Sequence, residues 1–151
     1  MPAPTPATDP LALESQICFA LSVASRGVIA AYRPVLEPLR LTHPQYLVML
    51  ALWQHAPLSL KALAGRLHME PATLSPLTRR LEALGYLRRD QDPDDGRGLA
   101  LCLTEQGREL RRQAEQVPVE MMRRLQMDEG ELRDLHRIMT RLMERVYPEA
   151  E

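Results

Sequence analysis

From Ser59 to Leu103 the chain reads helix, turn, helix, hairpin, and that order leaves few folds open. Ser59 is placed to cap a helix over Leu60 to Leu67. After the turn His68-Met69-Glu70, Pro71 opens a second helix, "PATLSPLTRRLEALG", which Gly85 closes as a left-handed residue. Pro76 falls in the second turn of that helix, near enough to its start to be tolerated with modest distortion. Two helices joined by about four residues form a helix-turn-helix pattern, which many helical bundles also contain. The continuation narrows the choice: "YLRRDQ" and "GLALCL" are strand-like runs around the turn "DPDDGR". A hairpin directly after such a helix pair makes a winged helix-turn-helix. There the second helix can enter a major groove while the hairpin tip, carrying Arg97, reaches the adjacent minor groove.

The flanks read as helices. Leu13, Ile17, Leu21, Ala24, Val28 and Ala31 step by threes and fours from about Pro10 to Tyr32, an amphipathic pattern that Pro34 and Pro38 interrupt. Thr42 or His43 caps the next helix, with Pro44 at its first position, and "QYLVMLALWQH" carries it to Ala56-Pro57. Thr104 caps a helix to about Gln116, and "VPVEMMRRLQM" is helical but interrupted at Pro118. Asp128 and Glu131 resemble a capping box opening a last helix to Val146. Its stripe of Leu132, Leu135, Ile138, Met139, Leu142 and Val146 either joins the first helix in a dimer interface or packs on the chain's own core; periodicity does not separate the two. The expected fold is mainly α with a small β-hairpin wing. Residues 1–10 and 148–151 read as tails and 11–147 as one domain, with the winged element at 44–103 between helical segments 11–40 and 104–147.

Composition agrees. At 151 residues, 45% apolar and 26% charged, the chain can bury one core, and only 4% aromatic content favours helix over sheet. Two cysteines make no disulfide framework, so reduced thiols and a cytoplasmic setting are expected. The longest apolar run, Tyr46 to Trp53, is far too short for a bilayer, no signal-peptide pattern precedes it, and no membrane partner is expected. "MPAPTPATDP" reads as a disordered tail. A net charge of −1 argues against a generally basic nucleic-acid binder. Between Pro71 and Arg89, however, Arg79, Arg80, Arg88 and Arg89 face one acid, Glu82. A compact DNA-reading element shows such a patch, and so does an ordinary solvated helix face.

The order of helix, broken helix, helix, helix-turn-helix, wing and two helices resembles the MarR family of bacterial repressors. "LESQICFALSVASR", "YRPVLEPLRLTHPQYLVMLALW", "LHMEPATLSPLTRRLEALGYLRR" and "DDGRGLALCLTEQGREL" are similar to its organic-hydroperoxide-sensing branch, the OhrR repressors, over about Leu13 to Leu142. The wing's Asp95 and Arg97 belong to the whole family. The resemblance implies a homodimer, dimerising through its N- and C-terminal helices, on an inverted-repeat operator in double-stranded DNA. It also implies a peroxide-reactive thiol at Cys18, hydrogen-bonded across the dimer by two tyrosines. One matches Tyr32; the other falls at His43, and a lesser aromatic position falls at Ser22. No cysteine lies in "VPVEMMRR", where some relatives carry a resolving thiol, so the chain matches the one-cysteine type. Its oxidised form would be a sulfenic acid that proceeds to a mixed disulfide with a small cellular thiol or to higher oxides. Cys102 reads as a small strand residue.

Only a thiolate attacks a peroxide O–O bond at useful speed, so a sensor thiol needs donors to its anion. Phenols serve, and an imidazole at His43 can replace one; equally, His43 can simply precede Pro44 at a helix start and face water. Cys18 itself has two readings. Unpaired cysteines are usually inert core residues, yet Cys18 lies one step off the apolar stripe, on a face continued by Ser22, Ser25 and Ile29. For DNA, Thr73, Ser75, Thr78 and Arg79 lie early on the second helix of the pair, with Asp95 and Arg97 at the wing. No metal or cofactor is expected, nor an enzyme. The alternatives are a MarR-type repressor released by a non-covalent phenolic or acidic effector, a thiol peroxidase using Cys18, and a helical interaction protein. The peroxidase lacks a resolving cysteine, a CxxC pair or an arginine flanking Cys18, and the interaction protein leaves Arg97 unexplained.

Overall fold

A computed structural model describes residues 9–149. Most of the expected tail at 1–10, and the last two residues of the tail at 148–151, lie outside that range. A 3-10 turn at Leu13–Ser15 precedes α1 (Ile17–Leu36), and a second at Glu37–Leu39 leads to α2 (His43–His55). β1 (Leu58–Ser59), α3 (Leu60–Leu67) and α4 (Pro71–Ala83) follow, then β2 (Leu87–Gln91) and β3 (Leu99–Leu103). α5 (Glu105–Ala114), α6 (Gln116–Leu125) and α7 (Glu129–Val146) complete the chain. The expected class holds: a helical protein with a small antiparallel sheet, ordered β1-β3-β2.

The caps fall where side-chain chemistry places them. Thr42 and Gln45 form a reciprocal capping box on α2, as do Asp128 and Glu131 on α7. Ser59 Oγ accepts the Ala62 N–H at 3.0 Å, and Thr104 Oγ1 accepts the Gly107 N–H at 3.0 Å. Gly85 takes φ 85° after α4, and Gly107 is required by space, since a Cβ there would collide with the Tyr86 carbonyl oxygen.

Three expectations are corrected. α1 starts at Ile17 rather than near Pro10, because Gln16 is extended and its side-chain amide donates to the Pro10 and Ala12 carbonyls. The helix then runs through Pro34 to Leu36, where a missing donor costs only one bond to the exposed Ala30 carbonyl. Pro118 does not interrupt α6. It is the third residue of that helix, where backbone N–H groups have no intrahelical partner anyway. The two-residue β1 adds a third strand, pairing Leu58 with Leu101 and Ser59 with Ala100.

The core lies under α2, α3, α4 and the sheet, where Val48, Met49, Leu52, Leu63, Leu74 and Leu81 are fully buried. Trp53 Nε1 donates to the Gly107 carbonyl at 2.9 Å, and the Tyr86 hydroxyl donates to the Leu39 carbonyl at 2.9 Å, tying the head to the base of α1 and to α5. α7 buries no residue. Ile138 (54% exposed), Val146 (59%), Leu135 and Met143 stand in solvent, as do Ile17 (70%), Phe19, Val23 and Ile29 on α1. The C-terminal end of α1 packs on the chain's own core, with Val35 and Leu36 buried, whereas the first half of α1 and much of the α7 stripe leave apolar surface uncovered. Among the described residues no helix is long and apolar enough to cross a membrane.

Candidate nucleic-acid interface and thiol site

α4 is the second helix of the helix-turn-helix pair, and it shows solvent Thr73, Arg79 and Arg80, with Ser75 half-buried. Thr78 is corrected: it is 0% exposed, its hydroxyl donates to the Ser75 carbonyl at 3.0 Å, and it accepts from Arg89 Nη2 at 3.3 Å. A group so enclosed cannot reach DNA from this conformation. Two arginines of the basic patch are also committed inward or sideways. Arg89 Nε donates to both Glu82 carboxylate oxygens, at 3.1 and 3.2 Å, and Arg88 pairs with Asp90 at 2.7 Å. Among the described residues Arg79, Arg80 and Arg97 enter no ion pair, so within the winged element's arginine patch and wing tip these three are the unpaired ones.

The wing tip is built by its acids. Asp92 Oδ1 accepts the Asp94 N–H at 2.9 Å, Asp95 Oδ1 accepts the Arg97 N–H at 3.1 Å, and the Asp95 carbonyl accepts the Gly98 N–H at 3.1 Å. These turns leave Arg97 exposed at the apex.

Cys18 is exposed, on the second residue of α1, and Ser22, Ser25 and Ile29 continue its face with the 4-3-4 spacing of one helix side. Tyr32 lies fourteen residues further, roughly 21 Å along a helix rising 1.5 Å per residue, so one chain does not bring the two together. The structure does gather Tyr32 with His43, ring centroids 5.1 Å apart, and with Tyr46 at 5.8 Å. His43 therefore does not merely face water. Burial lowers its pKa, favouring the neutral imidazole, and burial raises that of Tyr32, which keeps its phenol a donor. Burial, then the neighbouring Tyr32, raises Tyr46 as well. Tyr46 was not among the candidate residues, although its position three after His43 on one helix was the signal.

Beside this cluster opens a cleft of about 570 Å³, lined by apolar Ile29, Leu41 and Pro44 and by polar Arg33, Glu37, Arg40, Thr42 and His43. Cys102 sits half-buried on β3, and burial, with Asp90 adding, pushes its thiol pKa up, consistent with a small strand residue. No cluster of three His, Cys, Asp or Glu side chains suited to a metal occurs among the described residues.

The model of the MarR family matches residues 41–99, the winged element. The transcriptional regulator TtmR of Methylorubrum extorquens (strain PA1) is 44% identical over 110 residues, 73% of this chain and 56% of that protein, so the match spans little more than half of TtmR. The organic hydroperoxide resistance transcriptional regulator of Bacillus subtilis (strain 168) is 37% identical over 110 residues, covering 73% of this chain and 75% of that one. The structure of reduced AbfR bound to DNA superposes with a TM-score of 0.74 at 29% identity, over 89% of this chain and 92% of that one. With its winged head, its free arginines and these relatives, the chain belongs to the MarR family of DNA-binding transcriptional regulators and is similar to its organic-hydroperoxide-sensing branch.

Proposed function

We propose that this chain is a homodimeric repressor that leaves an inverted-repeat operator when an organic hydroperoxide oxidises Cys18. The observation that carries the reading is the position of Cys18: exposed, at the start of an α1 face that no part of its own chain covers. A second copy packed on α1 and α7 would cover their bare apolar side chains. An α1 from that copy, crossing in the opposite sense, would bring the partner's Tyr32–His43 end to Cys18, which a single chain cannot do. Residues 44–103 would then be the reading unit, and 11–40 with 104–147 the dimerisation segments. Thr73, Ser75 and Arg79 would meet the major groove and Arg97 the minor groove, with Asp95 holding the Arg97 backbone rather than touching phosphates.

In the reaction the Cys18 thiolate attacks the terminal peroxide oxygen; an S–O bond forms as the O–O bond breaks. The departing alkoxide takes a proton from the partner's Tyr32 phenol, which water reprotonates with the proton the Cys18 thiol released on ionising. A small thiol then condenses with the sulfenic acid, giving a mixed disulfide and water. The adduct sits on the interface helix, and a typical coupling of about 1–3 kcal/mol weakens DNA binding roughly 5–150-fold.

The cleft favours a second reading, release by a non-covalent acidic or phenolic effector, because its lining combines apolar Ile29 and Leu41 with two cations, Arg33 and Arg40, against one acid, Glu37. One experiment separates the two. A duplex selected by the wild-type protein from a random pool is titrated with wild type and Cys18→Ser, with and without cumene hydroperoxide. The thiol reading expects release of wild type only; equal release of both sinks it. Failure of the wild-type protein to select any duplex from the pool at low salt removes the repressor reading altogether.

A further inference from the structure

The hydrogen bonds beneath the recognition helix join α4 to the wing through one arginine. Thr78 and Glu82, four apart, lie on one side of α4, and Arg89 reaches both from the middle of β2. The Arg89 and Glu82 side chains are only 31% and 27% exposed, so the fork is partly shielded from water. Thr78 is fully enclosed and uses both faces of its hydroxyl, donating to Ser75 and accepting from Arg89. The tip begins two residues beyond Arg89, where Gln91 ends β2 and pairs with Leu99. Buried Leu87 and Leu101 and the pairing of β1 with β3 hold the base of the sheet, while Arg89 ties mid-β2 to α4 by hydrogen bonds. Beyond it the wing continues as a two-stranded ribbon whose tilt relative to α4 that anchor would set.

We propose that Thr78 and Arg89 are positioning residues for DNA reading: the Ser75–Thr78–Arg89–Glu82 chain sets the angle between recognition helix and wing, and so where Arg97 falls on the duplex. The anchor touches no DNA itself. Its loss lets β2 tilt on α4 and moves the wing apex away from the groove that Arg79 and Thr73 define. The proposal rests on the reading of Arg97 as the wing-tip DNA contact.

The test is a double-mutant cycle on the full chain with the same selected duplex, measured by fluorescence anisotropy. Thr78→Val keeps the shape and removes the hydroxyl. It should weaken binding about tenfold in the wild-type background and less than about twofold in Arg97→Ala, because the two act through one contact. Thr78→Ser should restore affinity. Equal losses from Thr78→Val in both backgrounds, full affinity in Thr78→Val alone, or a Thr78→Ser protein as weak as Thr78→Val would each overturn the positioning role. An Arg97→Ala protein with unchanged affinity would instead strike the wing-tip reading, and this proposal with it. Thermal melts accompany each variant. If Thr78→Val does not fold, Arg89→Lys takes its place in the cycle, keeping charge near Glu82 but unable to fork to Thr78, with the same expected non-additivity.

Discussion

The winged head and the terminal arms treat apolar side chains in opposite ways. In the head, Leu52, Leu63, Leu74 and Leu81 are fully buried within the chain, and even a threonine is sealed among them. In the arms, α7 has no fully buried residue and the first half of α1 displays Ile17, Phe19, Val23 and Ile29. Both regions carry amphipathic helices of similar pattern. The difference teaches that an apolar stripe announces only that something must cover it. The head closes over its own apolar side chains, whereas α7 and the first half of α1 leave much of theirs uncovered.

That contrast can be broken by charging the arms. Leu135→Glu with Ile138→Glu should convert a dimer to a monomer in sedimentation while the head keeps its helical signal. Losing the second half-site would lower operator affinity by about 10²–10⁴. A dimer that survives both charges would show that α7 is not its interface. Next in size, Leu81→Ala should cost about 2–5 kcal/mol in denaturant unfolding because it opens a cavity in the sealed core. A comparable loss of unfolding free energy from Ile138→Ala at concentrations that keep the chain monomeric would erase the contrast.

The smallest effect concerns His43 at the joint between the regions. Its pKa in the folded protein is lowered by burial, so the unfolded chain binds the proton more readily. Stability therefore falls as pH drops below the ordinary histidine value of about 6.5, and this part of the loss should be absent in His43→Gln. Melts of the two proteins between neutral pH and about pH 5 read the difference; parallel curves would place His43 in solvent.

Much of the head was legible because short-range chemistry decides it. Thr42, Ser59, Thr104 and Asp128 are side chains that satisfy backbone donors three residues away, and Gly85 meets a left-handed turn. The prolines misled because their cost depends on position in the helix, which a pattern does not reveal before the ends are known. Thr78 misled differently. Leu74, Thr78 and Leu81 share one spacing, and the stripe itself put Thr78 inside; residue type suggested otherwise, since its partner Arg89 comes from another element. That Tyr32 joins His43 and Tyr46 depends on how α1 crosses α2, and no local signal encodes that crossing. The bare surface of α7 was equally invisible to periodicity, which reports a face and never its partner.

The central claim is that oxidation at Cys18, on the uncovered face of α1, releases the head from DNA. It is tested most directly by treating the protein–duplex complex with limiting cumene hydroperoxide and glutathione, separating free from bound protein, and mapping thiols by peptide mass spectrometry. The account predicts a glutathione adduct or higher oxide on Cys18 in the released fraction, unmodified Cys18 in the bound fraction, and unmodified Cys102 in both. Release with Cys18 unmodified, or the same modification in both fractions, would contradict it.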